Sequence, residues 1–205
     1  MTMPEAASTV VDVAFDVAGS SLPVEHAWSL LAAVEARLPW LADEALAGIH
    51  PLRATATAYG LALIARRAKL VLRLPEARLT DALRLEGAEL DVGGSLLRVG
   101  SGKARPLAPS ATLSAQRVAS WSGDAVGFEA EVAAALERLG IAARFISGRR
   151  REERAGERTI AGFALTLHGL GAADSLRIQS AGLGDERRVG WGVFVPAKLI
   201  QAADA

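Results

Sequence analysis

The sequence predicts an α+β protein in which the order of elements β-α-β-β-α-β occurs twice along its 205 residues. Three observations indicate this class: strand-like alternation of apolar and polar residues, apolar residues at helical spacing, and a stretch of glycine, proline and serine near the middle of the chain. The chain is long enough for two domains of roughly 100 residues, each able to bury a core.

The first predicted half covers residues 8–108. It begins with a strand at 9–17, where apolar and polar residues alternate and β-branched residues are frequent. Apolar residues at helical spacing predict the first helix over 23–38, with a proline at its start. Two or more strands, a short helix and a hairpin that turns at two adjacent glycines follow in GIHPLRATATA, LALIARRAKLVLRLP, PEARLTDALRL and AELDVGGSLLRVG.

The segment GSGKARPLAPSA, residues 100–111, has the composition of a linker and predicts a domain boundary near residue 108. Residues 109–205 then repeat the order. The strand, helix, strand pair and second helix are predicted in ATLSAQRVAS, DAVGFEAEVAAALERLG, ARFISG with RTIAGFALTLHG, and GAADSLRIQSAG. A glycine-rich loop leads into the last strand, so the predicted fold is two tandem ferredoxin-like (RRM-like) halves with a C-terminal glycine-rich loop.

Composition and charge exclude several kinds of site and partner. The chain has no cysteine, which excludes disulfides, thiolate nucleophiles and cysteine–zinc sites. Basic and acidic residues number 23 each, so no strong overall field attracts nucleic acid. The distribution is uneven, however, because residues 45–75 and 92–123 carry basic residues and no acid. Such segments can form one positive surface.

No membrane partner is expected. The longest apolar run, AWSLLAAVEARLPWLADEALAGI, is interrupted by charged residues and predicts amphipathic helices, not a membrane span. The N-terminal MTMPEAASTV lacks the basic start and apolar core of a signal peptide. We therefore expect a cytoplasmic protein.

The stretch AGLGDERRVGWGVFVP, residues 181–196, places four glycines around two adjacent arginines. Glycine adopts positive φ without strain and lets a ligand or another backbone approach closely, so the stretch predicts a shaped, cationic loop. A glycine-rich hairpin with a solvated tip is the alternative interpretation.

This loop, together with LPVEHAW, GIHPLR and LRLP, resembles the CRISPR-associated RAMP endoribonucleases that cut precursor CRISPR RNA within its repeats, in particular their Myxan-type branch. The resemblance covers nearly the whole chain. It implies binding of the repeat hairpin and metal-independent cleavage, in which the ribose 2′-hydroxyl attacks the adjacent phosphate and leaves a 2′,3′-cyclic phosphate. It also implies no cofactor, no metal site, and partnership with other subunits of a CRISPR effector complex.

Such cleavage needs a base for the 2′-proton, a group that stabilises the phosphorane charge, and an acid for the leaving oxygen. His26, in the first turn of the predicted first helix, is the first candidate for the base because the family places its base on or after this helix. His50 precedes Pro51 at the start of a strand and is a second catalytic or phosphate-orienting candidate. The sequence does not decide which of the two histidines is the general base.

The segment SGRRREERAGER, residues 147–158, resembles a hairpin loop with arginine-rich arms. Arginine forks bind phosphates and stack on unpaired bases, so the segment predicts an RNA-contacting loop. An exposed hairpin rich in ion pairs is the alternative. In the family the glycine loop lies at the cleft between the halves and helps hold RNA, so the predicted RNA-binding residues are Arg149, Arg150, Arg151, Arg154, Arg187, Arg188, Gly182, Gly184, Gly190 and Gly192.

Two other functions stay open from the sequence. Related RAMP proteins with the same fold bind RNA in effector complexes without cutting it, although His26 together with His50 favours the enzyme. A ferredoxin-like protein that binds a small molecule is the other alternative, and neutral net charge is natural for it.

Overall fold

The computed structural model describes residues 9–155 and 158–197. The chain forms two compact units, with the division between Leu107 and Ala108. Four α-helices and three antiparallel sheets occur in the described residues, which confirms the predicted α+β class. None of the helices in these residues is long and apolar enough to cross a membrane.

The elements of the first unit, in chain order, are β1 (Val10–Ala18), β2 (Ser21–Pro23), α1 (Ala27–Glu35), β3 (Gly48–Ile49), β4 (Ala54–Ala56), β5 (Leu61–Ile64), β6 (Lys69–Pro75), α2 (Leu79–Ala82), β7 (Glu89–Val92) and β8 (Ser95–Pro106). A five-stranded sheet has the order β3-β6-β1-β8-β7. A small three-stranded sheet has the order β2-β5-β4. Alternate side chains of β1 and β6 are fully buried and form the centre of this core, among them Val13, Phe15, Leu70, Leu72 and Leu74.

The elements of the second unit are β9 (Thr112–Ala119), α3 (Ala125–Leu139), β10 (Arg144–Ala155), β11 (Arg158–His168), α4 (Ala172–Ala181) and β12 (Val195–Pro196). Its sheet has the order β10-β11-β9-β12. The α3 helix begins after Asp124, whose carboxylate accepts from the Gly127 amide at 2.9 Å, and ends at Gly140. Its buried Phe128 stacks on Phe163 of β11 with ring centroids 4.9 Å apart.

Two predicted element boundaries are wrong. The first helix spans only Ala27–Glu35, because Ser21–Pro23 pairs with β5 and buries Leu22. Most of the predicted linker at 100–111 belongs to β8, which pairs with β1 up to Pro106. Its Gly102 permits a close approach: a Cβ there would lie 2.6 Å from a ring atom of the buried Phe15.

A buried ion pair joins the two central strands of the first unit. Arg73 of β6 is fully buried and donates from Nε and Nη2 to the two carboxylate oxygens of Asp12 on β1, at 2.7 and 2.9 Å. Burial opposes ionisation of Asp12, but hydrogen bonds from His50 and Arg73 outweigh it and hold the pKa of the carboxyl well below its usual range. Asp12 is therefore an anion throughout the neutral pH range.

We expect Asp12→Asn to destabilise the first unit by roughly 3 kcal/mol at pH 7, because the substitution leaves the Arg73 guanidinium buried without a counter-charge. Because the folded-state pKa is lowered, the contribution of the carboxylate is complete above the unfolded-state pKa of about 3.9 and is lost as the pH falls below it. The difference from the wild type, measured by urea unfolding, should therefore shrink below about pH 4.

Asp16→Asn is the matched control, because Asp16 lies on the same strand and pairs with Lys69 in solvent. This variant should unfold close to the wild-type midpoint. Equal losses of stability in both variants would contradict the importance of the buried pair.

Candidate active site and RNA interface

His26 is the N-cap residue of α1 and lies just before the helix, not within its first turn. Its Nδ1 lies 2.9 Å from the backbone oxygen of Pro23, the last residue of β2. Because a carbonyl oxygen only accepts, Nδ1 carries the hydrogen, and Nε2 is the atom that takes a proton in the neutral ring. Among the described residues, none forms a hydrogen bond with Nε2. The half-buried ring is thus oriented with its basic nitrogen available.

His50 follows β3 and contacts the ion pair of Asp12 and Arg73. Its Nε2 lies 3.2 Å from Asp12 Oδ1. Since the Asp12 carboxylate is ionised it accepts, so Nε2 of His50 carries the hydrogen. The side chain is only 14% exposed. A carboxylate therefore orients the His50 ring, while a backbone carbonyl orients the ring of His26.

The third histidine, His168, ends β11 in the second unit. Its Nδ1 lies 3.3 Å from the hydroxyl of Thr112 on the neighbouring strand. Neither this histidine nor any other described residue belongs to a cluster of three or more His, Asp or Glu side chains that could hold a metal ion.

The predicted RNA-contacting loop is in large part a strand. β10 continues to Ala155 and pairs with β11 along its length, with an irregularity between Ser147 and Arg150. Four exposed arginines therefore lie on a strand that is paired with its neighbour, and they are Arg149, Arg150, Arg151 and Arg154. Arg150 pairs with Glu152 at 2.5 Å, whereas the other three form no ion pair with another described residue.

The glycine-rich loop folds tightly upon its own backbone. Gly182 and Gly192 both have positive φ, and a Cβ on Gly192 would lie 2.1 Å from the Leu183 oxygen. A Cβ on Gly182 would lie 2.7 Å from the Gly192 oxygen. Glycine is thus required at these positions because the backbone packs against itself.

Three of the four glycine amides predicted to contact RNA donate to the protein backbone, and that of Gly182 donates to the Ile178 oxygen at 2.8 Å. The amide of Gly190 donates to the Arg187 oxygen at 2.9 Å, and the amide of Gly192 donates to the Arg117 oxygen at 2.8 Å. These N–H groups are occupied by hydrogen bonds within the second unit and are not presented to a ligand. Gly184, in contrast, lies in the exposed part of the loop.

Arg187, which the sequence predicted to contact RNA, lies inside the second unit. Arg187 is only 8% exposed, and its guanidinium donates to the backbone oxygens of Ser180 and, at 3.1 Å, Gln179. Both carbonyls lie in the last turn of α4, where a cation is favourable. Arg188 is partly exposed and stays a candidate for RNA contact.

The sequence interpretation missed a buried network that holds the glycine loop. One oxygen of Glu153 on β10 accepts from Arg117 of β9 at 2.6 Å and from the indole N–H of the fully buried Trp191 at 2.9 Å. Arg117 also donates to the Val189 oxygen at 2.7 Å, and its guanidinium lies 5.3 Å from the centre of the Trp191 ring. Burial lowers the pKa of Arg117, while the charge of Glu153 opposes that effect.

Residues 11–199 match the Cas6 family, described as Cas6 Crispr. A protein of Myxococcus xanthus (strain DK1622), described as CRISPR-associated endonuclease Cas6, is 36% identical over 187 residues that cover 91% of this chain and 81% of that protein.

Two solved structures share the fold. One, described as CRISPR associated protein Cas6, has a TM-score of 0.65 at 11% identity and covers 92% of this chain and 100% of that one. Another, described as an RAMP protein binding different RNA substrates, has a TM-score of 0.58 at 13% identity and covers 92% of this chain and 98% of that one. The match of residues 11–199 and the identity to the Myxococcus protein confirm the resemblance inferred from the sequence: the chain belongs to the Cas6 family of CRISPR-associated endonucleases.

Proposed function

We propose that the protein is a metal-independent endoribonuclease that binds the repeat hairpin of precursor CRISPR RNA and cleaves it to yield mature guide RNA. Membership of the Cas6 family supports CRISPR RNA as the substrate and favours an enzyme over an RNA-binding subunit that does not cut. The structural neighbour described as binding different RNA substrates supports the same class of ligand. Other subunits of a CRISPR effector complex are the proposed protein partners.

We interpret the architecture as two tandem ferredoxin-like halves, residues 8–108 and 109–205. In the second unit the four strands are arranged 2-3-1-4 in chain order, as β10-β11-β9-β12. The strands β3-β6-β1-β8 of the first unit have the same arrangement, with β7 added at the edge. The shared strand order supports this interpretation, since the second unit follows β-α-β-β-α-β and the first unit does so once its additional strands β2, β4, β5 and β7 are set apart.

The orientation of His26 is the observation that carries the proposed mechanism. With Nδ1–H held by the Pro23 oxygen at 2.9 Å, Nε2 is the proton acceptor of a fixed ring. In this mechanism Nε2 takes the proton of the ribose 2′-hydroxyl, and the 2′-oxygen attacks the adjacent phosphorus. The bond to the 5′-oxygen breaks, that oxygen receives a proton, and a 2′,3′-cyclic phosphate remains.

His50 has the second role in this proposal. Its Nε2–H is bound to the ionised Asp12, so the ring is fixed by a buried charge and is suited to orient the phosphate or to assist proton transfer. The exposed arginines of β10, together with Arg188, form the proposed surface that binds the RNA backbone.

Cleavage of a labelled repeat RNA should proceed unchanged in EDTA, because the RNA supplies its own nucleophile. A repeat with 2′-deoxyribose at the cleaved position should bind normally and stay intact. The measurement is gel analysis of single-turnover reactions, and activity that disappears with EDTA and returns with a divalent metal would overturn the mechanism.

His26→Ala should reduce the single-turnover cleavage rate by about 10²–10⁴-fold, the usual contribution of a positioned proton-transfer group, with RNA affinity nearly unchanged. His50→Ala should reduce the rate in the same way if it assists proton transfer, and should also lower stability because it removes a partner of Asp12.

His168→Ala is the matched control, because His168 hydrogen-bonds Thr112 and has no part in the proposed site. It should cut at the wild-type rate. Wild-type rates for both His26→Ala and His50→Ala would refute the assignment of the base.

Replacing Arg149, Arg150 and Arg151 together by alanine should weaken RNA binding, and the loss should be largest at low salt because these contacts release counterions. The slope of log affinity against log salt should fall by about 2. A matched triple variant at Arg84, Arg98 and Arg177 removes the same charge from arginines that pair with Asp81, Glu89 and Asp174. If both triple variants lose affinity equally, only net charge matters and β10 is not the RNA surface.

A further inference from the structure

Exposed apolar side chains cluster on the small sheet of the first unit, beside the proposed base. They are Val24, which follows β2, Tyr59, in the turn before β5, and Leu61 and Leu63 of β5. Tyr59 is the extreme case, with 99% of its surface in solvent. It has no hydrogen bond or ring contact with another described residue. A large aromatic ring that packs against none of the described residues is available to a ligand.

The backbone of Tyr59 is strained. Its φ of 75° and ψ of 21° place it in the left-handed region, which a bulky residue rarely adopts. The next residue, Gly60, has a φ of 72° in the same turn, where the absence of a side chain makes that conformation ordinary. Strained backbone of this kind clusters at active sites and ligand clamps, so it motivates a binding role for this exposed residue.

Hydrogen bonds connect the turn at Tyr59 to the segment that positions His26. The amide of Val24 donates to the Gly60 oxygen at 2.9 Å, and Pro23 pairs with Leu61. The same Pro23 supplies the oxygen that holds the His26 ring. Tyr59 and His26 therefore lie on two neighbouring segments that are hydrogen-bonded to each other. His26 is two residues beyond Val24, and Tyr59 is one residue before Gly60.

The charges around this sheet suit a polyanion. Arg53, just before β4, and Arg66 and Arg67, just after β5, are exposed and form no ion pair with another described residue. At about 3.3 Å per residue, the strand of three residues places Arg53 about 13 Å from the turn at Tyr59, and the strand of four residues places Arg66 and Arg67 farther from it. Residues 45–75 contain no acid that could neutralise them.

We propose that Tyr59 stacks on an unpaired nucleobase next to the cleaved phosphate, and that Arg53, Arg66 and Arg67 contact the adjoining phosphates. This inference rests on the proposed function, since the occupant is the RNA substrate. Every nucleobase has a π-face, so Tyr59 holds the strand at His26 and does not read its sequence. An apolar segment of a partner protein is the competing occupant, and the arginines without ion pairs favour RNA.

The test compares Tyr59→Gly and Tyr59→Phe in the full chain. Glycine removes the ring and also suits the left-handed backbone, so the variant should be at least as stable as the wild type. It should raise the Kd for an uncleavable 2′-deoxy repeat by about 5- to 100-fold, the usual effect of losing one stacked base. Phenylalanine keeps the ring and should bind like the wild type. Leu96→Ala, which truncates a 51% exposed side chain of the same unit, is the control and should have no effect.

An abasic nucleotide in the RNA makes the test specific. Placed in turn on each side of the cleaved bond, it should weaken binding to the wild type at one position and have no further effect on Tyr59→Gly at that position. Equal losses in both proteins at every position, or wild-type affinity in Tyr59→Gly, would overturn the stacking inference. Cleavage by the wild type is measured in parallel, so a wild type that leaves the repeat intact identifies failure of the proposed function separately.

Discussion

Each unit of this protein contains a pair of an arginine and a carboxylate in which one member is buried, and a buried charge requires an opposite charge beside it. In the first unit Arg73 is fully enclosed between strands and is neutralised by Asp12, which also holds His50. In the second unit Arg117 is neutralised by Glu153, which also holds Trp191 of the glycine loop. Removing one member of such a pair leaves an uncompensated charge, so each pair fixes the register of its strands and the position of a further segment.

The uneven distribution of charge explains how a chain without net charge presents basic surfaces, since residues 45–75 and 92–123 carry basic residues and no acid. The acids Asp12 and Glu153 lie beside Arg73 and Arg117 and neutralise those two arginines, not the exposed ones. The exposed arginines of β10 and of the small sheet beside His26 are left largely without such partners among the described residues. Formal charge summed over the sequence therefore underestimates the local field that an RNA backbone would meet.

Periodicity and turn chemistry were sufficient to predict most elements in order. The α3 helix is an example, because Asp124, the apolar residues four apart and Gly140 mark its start, buried face and end within one local stretch. The shaped C-terminal loop was likewise predicted from its glycines, and these have positive φ in the structure. Long-range contacts were not predictable: Gly102 was interpreted as part of a linker because nothing local shows that it lies against Phe15.

Long-range contacts were also what the sequence could not predict in the candidate site. His26 and His50 were selected from local motifs, but the partners that orient their rings differ in kind. Pro23 is three residues from His26, whereas Asp12 is 38 residues from His50 and is brought to it only by strand pairing. Arg187 is the opposite case: a cation within a glycine-rich stretch indicates a phosphate contact, whereas the fold places its guanidinium on carbonyls of α4, which local sequence does not show.

The central claim is that Nε2 of His26 takes the proton of the attacking 2′-hydroxyl. Its most direct test is a crystal structure of the protein with a repeat RNA that carries 2′-fluororibose at the cleaved position, where fluorine marks the place of the nucleophile. The account predicts His26 Nε2 within about 4 Å of that fluorine, close to hydrogen-bond reach, with Nδ1 still bound to the Pro23 oxygen. A bound repeat whose fluorine lies beyond the reach of His26 and faces another base would contradict it.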